Sequence, residues 1–543
     1  MPCGPPPWRT AAKTTPNTAA RRPTTNREEP ILRTKRTIIN LLYTLGSSLV
    51  LLLLGLVTRK LFVTNFDAFI PGYSETINSL FNVFSVAEFG VGSVISYRLY
   101  EQLAAKDNTR VGKYMSLYKW AYRAIGLVIL LLAVIGFFFL PLLMTKETTP
   151  DWPAIYTIYI LQTLSTLSGY FLITRRMLYT CTQQGYICTR IDLGFNIATS
   201  LVRIAIALWW PNYILYFGVL ILFNTLANAV IARRYRKDFP EIHDQPVSLQ
   251  DFKDLGIFND LRYYLVHRLS NAVYGSSDNL VVTGMMGAQQ VTYLGNYSTI
   301  STSVTNIGNK IMDSFAAAIG NIVYDRDAGA DGHARAVFWS MDLFSYAFGS
   351  FVAVAYFCLF QPFITWWMGG QWLLPTAYVL FFSLNEYVGW NHRMLGSYRA
   401  VLGRFEEDQW YMVASAASNL VLSVLLIGPL GLAGVVAATV FAHCLMWLGR
   451  ARVVCRHYMR GCGAHYFAMQ LLHAATLAAG LAGAWALCGL LPGGLVGLLL
   501  RGAVVCVVPN AINLAVYAWM PDAAYLRAYL GGLLAGRKKK GKT

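Results

Sequence analysis

Long apolar stretches recur along almost the whole chain and limit what it can fold into. The chain has 543 residues, of which 13% are charged, against about 25% in an average soluble protein. A helix that crosses a bilayer needs about 20 mostly apolar residues, because lipid offers no partner to a free backbone amide. We therefore predict an all-α integral membrane protein with about fourteen transmembrane helices. The stretches are residues 37–57, 72–97, 117–144, 152–174, 189–209, 213–232, 261–284, 291–322, 337–360, 372–394, 409–427, 430–449, 466–490 and 494–519.

The placement of the basic residues supports this count independently. Lys and Arg concentrate in the short cytoplasmic loops of membrane proteins. With the N-terminus inside, 38 of the 45 basic residues fall in cytoplasmic segments, 3 in outside loops and 4 within spans. Adding or losing one span breaks this alternation, so both termini are predicted to be cytoplasmic. Most of the net charge of +18 then sets topology and meets anionic lipid, and its dispersal argues against nucleic-acid binding.

Two short matches indicate an internal repeat of six helices. Residues 72–77 read GYSETI and residues 295–300 read GNYSTI, while Arg-Met-Leu recurs at 176–178 and 393–395. The similar offsets predict two bundles related by an axis along the membrane normal. The predicted organisation is a disordered basic cytoplasmic leader (1–36), an N-terminal six-helix bundle (37–237), a cytoplasmic inter-bundle linker (238–260), a second six-helix bundle (261–463), two extra transmembrane helices (464–520) and a basic cytoplasmic tail (521–543).

Polar residues form stripes on the first, second, seventh and eighth predicted spans. Ionisable groups are costly in lipid and normally face a bundle interior or a water-filled cavity. These spans are equivalent pairs in the two halves, so we predict that they line a shared aqueous cavity. Its candidate residues are Asn78, Asn82, Glu88, Arg268, Asn271, Asp278, Asn279, Asn306, Lys310 and Asp313.

Several of these charges have alternative explanations. Lys310 and Asp313 are three residues apart and could neutralise each other, whereas Arg268 has its nearest acid within the span at Asp278, well along the helix. For Arg203 in the fifth span, lining the cavity and packing are both open. Snorkelling to the membrane surface is expected of the basic residues at membrane ends, which are Arg59, Lys60, Arg98, Arg175, Arg176 and Arg393.

The sequence carries no clear sign of catalysis, and no metal or cofactor is predicted. Its nine cysteines include no Cys-x-x-Cys pair and no His/Cys cluster with metal spacing. Asp325 and Asp327 have the spacing of a metal–nucleotide site, but they lie in a short loop without a nucleotide-binding domain. A transporter driven by an ion gradient, the membrane potential or substrate flow is therefore favoured over an enzyme. The acids that could carry a proton or Na⁺ are Glu88, Asp278, Asp313, Asp342 and Glu386.

One segment resembles a known family. Residues 87–95, AEFGVGSVI, followed by YEQLA at 100–104, are similar to the second-helix signature of bacterial polysaccharide flippases, which belong to the multidrug/oligosaccharidyl-lipid/polysaccharide superfamily. The resemblance extends over roughly residues 35–457 through the fourteen-span plan and the repeat. It implies two bundles that move an undecaprenyl-diphosphate-linked oligosaccharide across the bacterial cytoplasmic membrane by alternating access. It also implies glycosyltransferases and a polysaccharide polymerase as partners.

The resemblance and the intramembrane charges together predict a substrate site. A lipid diphosphate carries roughly two negative charges, and Arg binds phosphate oxygens bidentately. We predict that Arg268 and Lys310, with Arg203, hold the diphosphate. Sugar hydroxyls are expected to meet Asn78, Asn82, Asn271, Asn279 and Asn306, and a coupling ion or a gate is expected at Glu88, Asp278 and Asp313. The alternatives are a multidrug extruder, a flippase for the peptidoglycan lipid precursor and, less favoured, a membrane glycosyltransferase or ligase.

Overall fold

The protein is α-helical wherever the computed structural model describes regular structure. It describes residues 28–520 apart from 89, 148, 255–256, 325–329, 403–404 and 460, together with 523 and 527; side chains are described from residue 46, except at 93, 249, 253–265, 310–334, 336 and 405. The helices are α1 (Glu28–Asn65), α2 (Phe69–Phe84), α3 (Val91–Ala105), α4 (Asn108–Leu143), α5 (Trp152–Leu172), α6 (Arg176–Cys181), α7 (Gly185–Trp209), α8 (Tyr213–Asp238), α9 (Leu249–Asp254), α10 (Ile257–Met286), α11 (Ala288–Tyr324), α12 (Ala330–Trp367), α13 (Thr376–Leu402), α14 (Phe405–Leu430), α15 (Leu432–His457), α16 (Gly463–Gly489) and α17 (Gly494–Tyr517).

The helices are those of a membrane protein. Within the described part of the chain, nine helices are long and apolar enough to cross a bilayer. Every stretch predicted from the sequence lies mainly on one helix, except 72–97, and the count of fourteen spans remains a prediction. Exposed Trp side chains lie near predicted membrane surfaces, as the aromatic belts of membrane proteins do. They are Trp209, Trp210 and Trp366 towards the outside and Trp120, Trp410 and Trp519 towards the inside.

The second predicted span is interrupted, which corrects the expectation of one continuous helix. Residues Ser85–Glu88 form a 3-10 turn between α2 and α3, and Gly90 has a left-handed φ of 74° before α3 begins. Glycine adopts that conformation without the steric cost that a Cβ imposes. The break places Glu88 at the junction of two shorter helices.

The two ends of the chain differ in how far they are described. The chain divides between Ser48 and Leu49 into two units, and Arg59 and all later residues lie in the second. Because α1 begins at Glu28, nine residues of the predicted leader are helical; Glu28 and Glu29 suit the positive end of a helix dipole. Residues 1–27 and most of the predicted tail lie outside the described residues.

Buried apolar residues form separate cores in the two halves. One core lies mainly among α2, α3, α4, α5 and α8, and two others lie mainly in the second half, with α12 contributing to both. The extra helices α16 and α17 pack on α12. Hydrogen bonds inside that contact join Tyr346 to Thr476 and Asn513, and Gln470 donates to Asp342 at 3.1 Å. Buried hydrogen bonds of this kind hold helices together in lipid.

Residues 239–252, here called the strap, are docked on the first bundle. Ile242, Val247 and Phe252 pack against its core, and the backbone amide of Gln245 donates to the Ser116 hydroxyl at 2.9 Å. Four ionic or polar contacts add to this. They are Lys113 with Asp251 at 2.6 Å, Asn108 with Glu241 at 2.6 Å, and Asp244 with Lys119 at 2.8 Å and Arg175 at 3.1 Å. As far as residue 252, the predicted linker therefore packs against helices of the predicted first bundle.

The docked strap is expected to stay in place between pH 8 and pH 5. Burial raises the pKa of Asp244, but Lys119 and Arg175 outweigh this and bring the pKa below its ordinary value. A depressed carboxyl pKa stabilises the contact above the unfolded value of about 3.9, and the contribution is lost as the pH falls through the folded pKa. Hydrogen exchange of residues 242–247, corrected for intrinsic rates, measures this. Loss of protection within this pH range would contradict the prediction.

Candidate functional site

Helix α2 of the first bundle contacts both α10 and α11 of the second bundle. Side-chain hydrogen bonds follow the antiparallel contact between α2 and α10 from the predicted outside towards the inside. We call this set of pairs the inter-bundle ladder. Its members are Thr76 with Thr283 at 2.6 Å, Ser79 with Asn279 at 3.0 Å, Asn82 with Ser276 at 2.7 Å and Glu88 with Arg268 at 2.7 Å. The ladder brings together α2 and α10, two of the helices that carry the predicted polar stripes.

At the outer end of the ladder, Arg59 of α1 joins both bundles. Its guanidinium pairs with Glu75 of α2, and it donates to the Asn296 side chain at 2.9 Å and the Thr292 carbonyl at 2.9 Å, both on α11. The Arg59 side chain is 10% exposed. Snorkelling was expected for Arg59, and that expectation is wrong, because α1 continues to Asn65 and places Arg59 before the helix end.

The glycine of the repeat lies where α2 and α11 come closest. A Cβ on Gly72 would overlap the backbone carbonyl of Ala288, and one on Gly295 would overlap the Glu75 carboxylate and Arg59. Nearby, the Ala68 carbonyl accepts from Thr292 at 2.7 Å. Glycines at a crossing let helix backbones approach closely. The outer ends of the two bundles are therefore closed against each other.

At the inner end, Arg268 and Glu88 form an ion pair between the bundles. The Arg268 side chain is 45% exposed and that of Glu88 is 23% exposed. Tyr122 of α4 donates a hydrogen bond to the other oxygen of Glu88. Sequence reasoning looked for the partner of Arg268 within its own span and missed Glu88, 180 residues away. The conformation described here thus holds the guanidinium against an anion while leaving nearly half of it accessible.

The predicted asparagines fall into two groups, one that bonds across the interface and one that is exposed. Asn82 and Asn279 are members of the ladder. Asn78, Asn271 and Asn306 are exposed, although all three lie within predicted spans. Amides at membrane depth need protein or water partners, so exposed ones are expected to face a water-filled space. All five asparagines lie on α2, α10 or α11, and their contact with sugars remains a prediction.

The remaining predicted diphosphate ligands differ in placement. The guanidinium carbon of Arg203 lies 3.8 Å from the centre of the Tyr216 ring on α8, a cation–π contact that a desolvated site strengthens. Packing between α7 and α8 therefore accounts for Arg203 without a ligand. Lys310 lies on the backbone of α11, but its side chain and that of Asp313 fall outside the described residues.

The acidic candidates have different surroundings. On α10, one oxygen of Asp278 accepts from Thr439 at 2.9 Å, and the other is buried without a hydrogen-bond partner among the described residues. Asn419 donates to the same Thr439 at 3.0 Å. Glu386 accepts from Ser301 at 2.9 Å, whereas Asp342 lies at the contact with α16. Asp278 alone among these three neighbours a member of the ladder, Asn279.

Two other expected snorkelling residues are turned into the protein. Arg176 pairs with Asp192 of α7 and donates to Asn228 of α8 at 2.9 Å, and Arg393 lies 4.6 Å from the Trp390 ring. A buried pair in the second half, Arg399 with Asp408 at 2.8 Å, was missed as well. Neither the spacing nor the hydropathy of these residues predicts a partner on another helix.

Comparisons with known proteins identify the fold. No family model and no curated protein sequence matches this chain. The lipid II flippase MurJ in an inward closed conformation is similar in structure, with a TM-score of 0.62 and 14% identity over 87% of this chain and 98% of MurJ. An inward-facing multidrug resistance MATE family transporter of the MOP superfamily has a TM-score of 0.57 and 13% identity over 74% of this chain and 95% of its own. This chain shares the fold of these two proteins, which we call the MOP fold.

The MOP fold confirms the predicted all-α membrane architecture. Both similar proteins are named as transporters or flippases rather than enzymes. A fold can carry more than one function, so the substrate has to be argued from the ladder and its charges.

Proposed function

We propose that this protein is a flippase that moves a lipid-linked oligosaccharide diphosphate from the inner to the outer leaflet of a bacterial cytoplasmic membrane by alternating access. The observation that carries the proposal is the Arg268–Glu88 pair. It lies between the bundles, at the inner end of the ladder, and its arginine is accessible. A diphosphate that enters between the bundles would replace Glu88 as the partner of Arg268.

The chemistry of the pair suits a diphosphate head group. Guanidinium groups donate parallel hydrogen bonds to phosphate oxygens, and these charge-assisted bonds are roughly twice as strong as neutral ones. Glu88 keeps the guanidinium neutralised until an anion arrives, which limits the cost of a charge at membrane depth. The exposed Asn78, Asn271 and Asn306 supply both donors and acceptors for sugar hydroxyls.

A strain that lacks the gene tests the proposal. We expect it to lose a surface polysaccharide and to accumulate the lipid-linked precursor on the inner leaflet, and the wild-type gene should restore both. Normal surface polysaccharide combined with raised sensitivity to cationic drugs would overturn the flippase proposal in favour of multidrug export. Arrest of peptidoglycan synthesis would identify the peptidoglycan lipid precursor as the substrate.

We further propose Asp278 as the residue that binds the coupling ion. The hydroxyl of Thr439 and the buried free oxygen of Asp278 are oxygen ligands of the kind that a small hard cation prefers, and the same carboxylate can take up a proton. Its neighbour Asn279 bonds to α2, so ion binding at Asp278 can affect the contact between the bundles.

Asp278→Asn is expected to lower gradient-driven transport at least about tenfold while transport without a gradient is unchanged. The amide keeps the size of the carboxylate and removes its charge. Transport in proteoliposomes with and without H⁺ and Na⁺ gradients measures this. Asp342→Asn is the matched control, because Asp342 is also buried but contacts α16. Unchanged gradient dependence in the Asp278 variant would exclude this coupling role.

A further inference from the structure

Lys119 and Arg175 form a basic clamp on the strap. The two guanidinium nitrogens of Arg175 bind the two oxygens of Asp244 at 3.1 and 3.3 Å, and Lys119 binds one of those oxygens at 2.8 Å. Arg175 is also held 4.7 Å from the Tyr235 ring. A two-pronged guanidinium with a second cation beside it is the arrangement that binds phosphate oxygens. Asp244 occupies that arrangement as an anion supplied by the chain itself.

The charges of the clamp are unequal. Two cations face one carboxylate, so one positive charge is left without a partner in the clamp. Lys119 is 30% exposed, Arg175 26% and Asp244 41%, so water and ions reach all three. A ligand with two or more negative charges would neutralise the clamp more completely than Asp244 does.

The clamp lies about one helical turn from the inner end of the ladder. Lys119 is three residues before Tyr122 on α4, a rise of about 5 Å, and Tyr122 binds Glu88, the partner of Arg268. Arg175 follows α5 just beyond Tyr170, whose ring centre is 6.0 Å from that of Tyr122. An anion leaving the clamp therefore has a short distance to travel to the inter-bundle pair.

We propose that Lys119 and Arg175 are a docking site for a diphosphate, which binds there by displacing Asp244 before it reaches Arg268. The ability of the docking site to bind phosphate is inferred from the geometry of Lys119 and Arg175 alone. Its place in translocation rests on the proposed function. Displacement frees the middle of the strap, while Lys113–Asp251 and the apolar side chains hold the rest of it.

Binding of inorganic pyrophosphate to the purified full-length protein in phosphatidylcholine nanodiscs tests the site. Asp244→Asn removes the competing charge with little change of shape, so we expect pyrophosphate to bind at least about tenfold more tightly than to the wild type. Asp251→Asn is the matched control, because it breaks the other ion pair of the strap without touching Lys119 or Arg175. It should bind pyrophosphate like the wild type. The double variant Asp244→Asn with Arg175→Ala should lose the gain.

Three results would overturn the docking site. They are equal affinity of wild type and Asp244→Asn, the same gain in Asp251→Asn, and persistence of the gain when Arg175 is also replaced. Hydrogen exchange of residues 242–247 provides a second measurement, since pyrophosphate should lower their protection in the wild type at millimolar concentration. Unchanged protection at saturating pyrophosphate would contradict displacement.

The same phosphate chemistry could come from a lipid head group or from a soluble diphosphate, and the membrane composition separates them. If nanodiscs that contain phosphatidylglycerol lower the protection of residues 242–247 without added pyrophosphate, head groups occupy the site; if only pyrophosphate does so, a free diphosphate group is required. The second outcome supports the diphosphate site, and the first contradicts it, because the phosphatidylglycerol head group carries a single negative charge. Because binding is measured without transport, the receptor can be confirmed even if the flippase proposal fails.

Discussion

Arg268→Ala is expected to lower translocation at least about 100-fold while the protein still reaches the membrane. The substitution removes two charge-assisted hydrogen bonds to the diphosphate, each worth about 1.5–3 kcal/mol, and every 1.4 kcal/mol is a factor of ten. It also leaves Glu88 without its partner at the inner end of the ladder. Flipping of a labelled lipid-linked oligosaccharide in proteoliposomes, with membrane abundance measured in parallel, gives the result.

Two companion variants make this experiment specific. Arg268→Lys keeps the charge but loses the planar fork, so transport should be partly retained. Arg98→Ala removes an arginine that pairs with Glu101 one turn away and is 42% exposed, and transport should be close to normal. Normal surface polysaccharide in a strain that produces Arg268→Ala at normal abundance would refute the assignment of Arg268.

Gly72→Ala is expected to abolish the outer closure and to reduce transport more than about tenfold. The new Cβ would overlap the backbone carbonyl of Ala288, and a backbone atom cannot turn away as a side chain can. Overpacking of this kind costs about 1–3 kcal/mol. It destabilises the state in which the outer ends are closed, because α2 and α11 must move apart to make room for the Cβ. Labelling of a cysteine at position 68 with a membrane-impermeant maleimide should become faster.

Gly169→Ala is the control for this substitution. Gly169 lies within α5, and a Cβ there would meet no atom within 4 Å, so the change should be neutral or slightly stabilising through helix propensity. Gly72→Ala protein that transports and labels like the Gly169 variant would show that the α2–α11 crossing does not determine outer closure.

The helices of the site could be predicted from the sequence, and the pairings could not. Lipid does not solvate polar side chains, so the stripe on the seventh span showed which face of α10 meets other protein or water. Asn279 and Asn82, which came from such stripes, do bond across the bundles. Periodicity is a local property of one helix, so it can be recognised without knowing which helices are its neighbours.

Pairing depends on how helices rotate and cross, which no local pattern records. Arg268 and Glu88 are 180 residues apart, and Arg59 and Asn296 are 237 apart. The expectation that Arg59 snorkels failed because the apolar stretch ended at residue 57 while the helix continued to Asn65. A helix ends where its backbone hydrogen bonds stop and a cap forms, and this need not be the residue at which the hydropathy of the sequence drops.

The interruption at Ser85–Glu88 has a consequence for the work needed to open the protein. A continuous helix would have to separate from the second bundle along its whole length for the protein to open. Because the span is divided at Gly90, α3 can move while α2 stays in place. The turn is the hinge, and the contacts of Thr76, Ser79 and Asn82 hold α2 against α10. Under the proposed function, substrate entry from the inside then requires separation of the Arg268–Glu88 pair, while the outer contacts stay in place.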